Sequence, residues 1–278
     1  IDTSIKMCIK NGLAPEIAIQ MATLNAAECY NLKNKGAIAP SYIADFIILD
    51  NLEEFKINSV YKNGKLIVKD NKLVIDIADL YSAPTLNNSI NLPKLTKDSL
   101  KIDIKNKSIL NVIELIPNKL ESNHLKINIE DLNLKDEFTS CTTKDNLLKI
   151  TVIERHKNTG NIGLGILKGL DLKSGAIATT IAHDSHNMII CGTNDADMIY
   201  AAEELKRING GIIVVKDGKT LASVSLEIGG IITSRACEEV ISDLTKLHDA
   251  VKILAPTITF NPFLTLSFLS LPVIPEIK

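Results

Sequence analysis

The sequence predicts an α+β chain assembled from more than one piece, and three observations carry that prediction. Residues 1–32 have a helical pattern, a run of short strand signals and hairpin turns follows, and the larger remainder mixes strands with two capped helices. At 278 residues the chain is longer than one small core usually needs, so two domains or parts of domains are expected. The expected boundaries are a helical piece over 1–35, strands of a small β domain over 36–80, a linker over 81–92 and a separate α+β domain over 93–278.

In Ile1 to Leu32, Pro15 suits a first helical turn, where its missing N–H would have no partner anyway. Ile17, Ile19, Met21, Ala22 and Leu24 then give a broad apolar face, and Asn31 with Lys33 to Gly36 ends it. Strands are expected at Ala37-Ile38-Ala39 and Asp45 to Asp50. Val60-Tyr61-Lys62, the turn Asn63-Gly64 and Lys65 to Val68 read as a hairpin. Tyr81 to Pro93, with Pro84, three asparagines and Ser89, reads as a linker. Apolar alternation or apolar runs then mark strands at Leu100 to Ile104, Val112 to Ile116 and Leu147 to Ile153. Asn194 can cap a helix through Met198, Ala201, Ala202 and Leu205, stopped by Gly210-Gly211. A hairpin runs from Gly211 to Val224 around Lys216-Asp217-Gly218, and Ser234 opens a helix that reaches about Ile253.

Hydrophobic residues make up 45% of the chain but aromatics only 4%, so the interior must be built from Ile, Leu, Val and Ala. A net charge of -2 gives no electrostatic case for nucleic acid or an anionic membrane. No apolar stretch is long enough to span a bilayer, and no signal peptide is visible. The five cysteines, Cys8, Cys29, Cys141, Cys191 and Cys237, are odd in number and lack CxxC spacing, which fits a reducing cytoplasm. The opening Ile1-Asp2-Thr3-Ser4-Ile5-Lys6-Met7 reads as the body of a helix already under way, so the chain is expected to be the later part of a longer protein.

The segment Ala182-His183-Asp184-Ser185-His186-Asn187, followed by Cys191-Gly192-Thr193-Asn194-Asp195, is the richest in chemistry. It interrupts two apolar runs, Ile177 to Ile181 and Met188 to Ile190. Burying such groups unsatisfied costs roughly 1–3 kcal/mol each, so they need partners. A strand-to-turn junction is expected. His183, Asp184, His186 and Asn187 are the candidate site residues, as pocket or domain-contact groups. The same residues equally suit a structural turn whose imidazoles bond to nearby backbone. A metal would need three or four converging ligands. Glu154-Arg155-His156-Lys157 would emerge at a sheet edge as a solvated charged cluster. Gly160-Asn161-Ile162-Gly163-Leu164-Gly165 lacks the order of a phosphate loop and reads as a flexible turn. Asp195 and Asp197 complement a helix N-terminus. A cytidine-deaminase-type zinc signature and a Gly-x-Ser-x-Gly nucleophile elbow are both absent.

Four stretches together resemble the later part of adenine deaminases of the amidohydrolase superfamily. Gly12-Leu13-Ala14-Pro15-Glu16 with Ala22 to Glu28 is similar to the last barrel helix and its exit. Gly36-Ala37-Ile38-Ala39-Pro40 with Ala44-Asp45 and Ile47 to Asp50 is similar to the return into the small β domain, with Ser41 where Gly commonly follows the Pro. The Ile181 to Asn187 and Gly192 to Asp195 motif resembles the extra C-terminal domain of this family, and it is the more specific signal. Gly229-Gly230-Ile231 and the tail Pro262-Phe263-Leu264 to Pro275 belong with it.

The resemblance implies a terminal piece of a metal-dependent (β/α)8 barrel, small β-sandwich strands and a C-terminal α+β domain. It implies conversion of adenine and water to hypoxanthine and ammonia in purine salvage, with a binuclear Mn or Fe centre in the full-length family. It also implies no metal ligand in this chain, which contains no His-x-His, so no bound cofactor and no activity are expected of it alone. The missing N-terminal barrel is the expected partner, together with adenine as substrate and a possible homo-oligomer. Two other readings stay open. One is a non-catalytic assembly or interaction module whose apolar tail, Phe260 to Ile274, serves a subunit interface. The other is an amidohydrolase acting on a different cyclic amidine or amide.

Overall fold

The computed structural model describes residues 1–75, 86, 88–132, 134, 136–140, 146–271, 273–274 and 276–277. Half of the expected linker (81–85 and 87), Cys141, and Pro272 and Pro275 of the tail lie outside the described residues. The chain divides into two compact units, Ile1–Ser82 and Ala83–Lys278. Each mixes helices with open sheet, and the α+β class expected from the sequence holds at that level.

In the first unit the helical stretch is not continuous. It forms α1 (Asp2–Lys10), α2 (Pro15–Ala22) and α3 (Leu24–Cys29). Gly12, at φ 96°, breaks the first from the second, and Thr23, at φ -122° and ψ -85°, breaks the second from the third. Pro15 does open α2. Ile5, Ala18 and Phe55 form a small core, while Met7, Ile17 and Met21 stay exposed. Ala37-Ile38-Ala39 is not a strand but part of an irregular approach to the sheet. Gly36 (φ 89°) there lies so close to α3 that a Cβ would fall 2.8 Å from Leu24 Cα. The sheet itself is a four-stranded meander of β1 (Phe46–Asn51), β2 (Lys56–Lys62), β3 (Lys65–Lys69) and β4 (Lys72–Leu73). Asn63 (φ 50°) and Gly64 (φ 75°) turn β2 into β3, since both must adopt the left-handed conformation that such two-residue hairpins need. Asp45 staples the turn: it accepts from Lys62 Nζ at 2.6 Å, Lys35 Nζ at 3.0 Å and the Asn63 N–H at 2.8 Å. Those donors hold its carboxyl well below the usual carboxylate range.

The second unit is organised by one eight-stranded sheet with strand order β12-β11-β9-β10-β7-β8-β5-β6. Its strands are β5 (Ile109–Leu115), β6 (Ser122–Asn128), β7 (Leu147–Ile153), β8 (Ile162–Lys168), β9 (Ala176–Thr179), β10 (Met188–Gly192), β11 (Gly211–Lys216) and β12 (Lys219–Ser225). Neighbours are antiparallel except β5 and β8, which are parallel and joined by a Lys168–Glu114 ion pair at 3.1 Å. Helix α4 (Asp195–Arg207) packs on one face, and α5 (Cys237–Leu254) and α6 (Pro262–Leu269) pack on the other. The period-2 alternation of each strand splits the core accordingly. Ala176, Ala178, Met188 and Ile190 meet Met198, Ala201 and Leu205 of α4. Ile177, Ile189 and Cys191 meet Leu247, Val251, Phe263 and Leu266 on the opposite side.

Four expectations change here. Leu100 to Ile104 is not a strand: Asp98–Leu100 is a 3-10 turn that buries Leu100, and Asp103 makes only an isolated bridge to Glu137. The glycine-rich segment after Gly160 is β8 rather than a flexible turn. The bare Cα of Gly165 lets Ile150 pack against the strand, where a Cβ would sit 3.2 Å from Ile150 Cγ2. Ser234 does not open α5, which starts at Cys237; Ser234 instead donates through its N–H and hydroxyl to Glu227 at 2.8 and 2.9 Å. The apolar tail forms α6, whose Phe263, Leu266 and Leu269 are buried in the unit's own core. Asn194 caps α4 as expected, accepting the Asp197 N–H at 2.8 Å.

Candidate functional site at the β9–β10 junction

The antiparallel register explains why the chemistry collects at one end of the sheet. Ile153 pairs with Met188, so continuing that ladder sets Arg155 opposite His186 and His156 opposite Ser185. Ile212 pairs with Thr179, which sets Thr180 opposite Gly211. The exit of β7, the β9–β10 connection and the entry of β11 therefore meet at one place.

The connection runs from Thr180 to Asn187 as a turn, as expected. The His186 N–H closes it on the Ala182 carbonyl at 2.6 Å, and His186 itself has φ 49°. The His183–Asp184 peptide is cis. His183 and His186 are half-buried, Asp184 and Ser185 are exposed, and Asn187 is half-buried with its N–H donated to Ser185 Oγ at 3.3 Å. Helix α6 supports the turn from one side. The His183 N–H donates to the Ser267 carbonyl at 2.9 Å, and the His183 ring stacks on Phe268 with centroids 4.3 Å apart.

The residue beneath the turn is Arg155, and here the expectation of a solvated charged cluster is corrected. Arg155 is fully buried. Its Nε donates to the His186 carbonyl at 2.5 Å, and Nη2 donates to the Gly229 carbonyl at 3.0 Å and, more weakly, the Thr180 carbonyl at 3.4 Å. Nη1 finds no partner among the described residues. Burial holds the guanidinium down to about 10, against a small opposing pull from Glu154. Gly230 (φ 73°) covers the guanidinium so closely that a Cβ there would lie 2.9 Å from Nη1. Thr180 Oγ1 ties the same loops together, accepting the Gly211 N–H at 2.7 Å and donating to the Gly230 carbonyl at 2.6 Å.

The neighbours of Arg155 in sequence shape the loop that presents it. Glu154 accepts the N–H groups of His156, Lys157 and Thr159 at 2.6 to 2.9 Å and the Thr159 hydroxyl at 3.0 Å. Those donors pull its carboxyl down to about 2. His156 Nε2 lies 2.8 Å from the Ser185 carbonyl. His186 is pushed toward its neutral form, first by burial and then by Arg155, His183 and His156, and its Nδ1 has no partner among the described residues. The site can thus offer neutral imidazole and an exposed carboxylate at its rim. His183 and His186 rings stand 6.3 Å apart, and no three His, Cys, Asp or Glu side chains converge as metal ligands among the described residues. This donor set does not fit a binuclear metal centre.

The sequence picks out His183, Asp184, His186 and Asn187, and the structure brings them into one turn. Arg155, Thr180, Ser267 and Phe268 were missed. The signal for Arg155 was available in the pairing of β7 with β10, which sets it opposite His186.

Residues 2–67 match the amidohydrolase family, and residues 125–278 match the family described as adenine deaminase C-terminal domain. The whole chain aligns with proteins named adenine deaminase. It is 46% identical to that of Geobacillus kaustophilus and 43% identical to that of Bacillus subtilis, in each case over 100% of this chain and 48% of the relative. With that of Clostridium acetobutylicum the identity is 38% over the same shares. The chain belongs to the adenine deaminase family, within the amidohydrolases, and it spans about half the length of the curated relatives it matches.

Proposed function

We propose that this chain is the C-terminal portion of an adenine deaminase that hydrolyses adenine to hypoxanthine and ammonia in purine salvage. The observation that carries the reading is the full-length alignment to proteins of that name, joined to the family match over 125–278. Residues 1–35 are proposed to end a (β/α) barrel, residues 36–80 to belong to a small β domain, and residues 93–278 to form the extra C-terminal domain. A binuclear Mn or Fe centre, when bound, would supply a hydroxide for attack on the purine ring. Its ligands are assigned to residues outside this chain, because the described side chains do not converge to hold it. Alone, the chain is therefore expected to be inactive. Four scattered free cysteines among the described residues, Cys8, Cys29, Cys191 and Cys237, support a cytoplasmic setting.

Within the complete enzyme the His183 to Asn187 turn is proposed to border the purine pocket. The half-buried His183 and His186 imidazoles and the exposed Asp184 carboxylate suit hydrogen bonding to a heterocycle. The test is adenine kinetics in a protein that joins this chain to the rest of the family architecture, with His183→Ala and His186→Ala. The expected result is a fall of about 10-fold or more in kcat/KM at unchanged melting temperature. Unchanged kinetics with a lowered melting temperature would assign the turn to domain contact instead.

A further inference from the structure

The arginine beneath the turn has a use that burial alone does not explain. A fully buried guanidinium is costly unless charge or hydrogen bonds compensate it. Among the described residues Arg155 has no carboxylate partner: its bonded acceptors are the carbonyls of His186, Thr180 and Gly229. Two of those carbonyls, of Thr180 and His186, lie at the two ends of the candidate turn, six positions apart, where the chain leaves β9 and approaches β10. The third belongs to Gly229, the neighbour of Gly230, where a Cβ would lie 2.9 Å from Nη1.

We propose that Arg155 is the positioning residue of this site: its planar fork spans the turn from Thr180 to His186 and fixes how the His183 and His186 imidazoles are presented. The inference rests on the reading that this turn borders the purine pocket. A lysine cannot replace the fork, because its three N–H donors radiate from one nitrogen, whereas the bonds to His186 and Gly229 leave from two nitrogens, Nε and Nη2, of one rigid group. Gly230 is the necessary counterpart, since any side chain there displaces the guanidinium. Glu154 contributes by collecting the N–H groups of residues 156, 157 and 159, which holds the strand exit that carries Arg155.

Two readouts test the proposal. The first uses no substrate: the ring-nitrogen resonances and titration of His183 and His186, followed by NMR in the parent, Arg155→Lys and Gly230→Ala. The second is adenine kinetics and the pH profile in the protein joined to the rest of the family architecture, with Arg155→Ala added. In folded variants both imidazoles should shift and titrate differently, and kcat/KM should fall by about 100-fold, the scale of an ångström of misplacement. Added guanidinium should restore part of the Arg155→Ala activity but none in His186→Ala. If Arg155→Ala does not fold, Arg155→Lys and Gly230→Ala still decide, because each keeps a buried cation, and Arg155→Lys leaves the left-handed backbone at Gly230 (φ 73°) untouched. Unmoved imidazole resonances, or full activity in Arg155→Lys where His183→Ala and His186→Ala have lost it, would overturn the proposal. Moved resonances with adenine kinetics unchanged in every variant, His183→Ala and His186→Ala included, would sink the pocket reading and leave Arg155 as the residue that shapes the turn.

Discussion

Asp197 is 2% exposed, and its carboxylate is used up by three donors: Asn194 Nδ2 at 2.8 Å, the Gly218 N–H at 2.8 Å and the Asp217 N–H at 3.3 Å. One side chain thus ties the start of α4 to the β11–β12 turn. Asp197→Ala would leave those donors without a partner, and a loss of about 1–3 kcal/mol is expected in urea unfolding. Glu154 makes a different prediction, in pH. Its folded carboxyl sits near 2, below its ordinary 4.5, because four donors favour the charged form. A depressed acid stabilises the fold above its unfolded pKa, and that contribution is lost as pH falls from about 4.5 toward 2. Carboxyl NMR should place its midpoint near 2, and the 156–159 amides should lose protection in that window. A midpoint near 4.5 would contradict the hydrogen bonding described for this loop.

Among the elements, strand entry into β11 is the tightest point. Gly211 has φ 138°, and a Cβ there would fall 1.9 Å from the Val224 carbonyl of β12. Gly218, at the tip of the same hairpin, has φ 68° with open space around it. Gly211→Ala is expected to cost at least about 2 kcal/mol, because backbone must move. Gly218→Ala should cost only the left-handed penalty of about 1–2 kcal/mol. Paired thermal melts would read the difference, and equal losses would contradict the close approach. This hairpin was legible in the sequence because Asp217-Gly218 supplies both left-handed residues between apolar runs. So was β7, whose Leu147, Leu148, Ile150, Val152 and Ile153 mark a strand with apolar side chains on both faces, and so was the Asn194 cap. β8 was not, since Gly160, Gly163 and Gly165 mimic a loop; at Gly165 the reason for glycine is the close packing of Ile150, a tertiary fact. The break of 1–32 into three helices was also hidden, because the apolar face continues across Thr23 while the backbone does not.

At the scale of the molecule, the candidate site is the product of topology more than of motif. The His183 to Asn187 turn could be read from residue types, but its support could not, because Arg155, Gly230 and Ser267 lie 31, 44 and 81 positions from His186 and are joined to the turn only by sheet order and helix packing. Arg155 looked like part of a surface charge run until the β7–β10 register placed it inside. For the apolar tail the sequence leaves interface and core both open, and α6 settles it by burying Phe263, Leu266 and Leu269 in the second unit. What half of the family's length can do alone is the central question. The most direct measurement is hypoxanthine formation from adenine, with Mn added, by the 278-residue chain and by the same chain joined to the remaining half that its relatives carry. The account predicts no turnover by the chain alone and adenine turnover by the joined protein. Turnover by the chain alone, or a joined and folded protein that hydrolyses another cyclic amidine but not adenine, would contradict it.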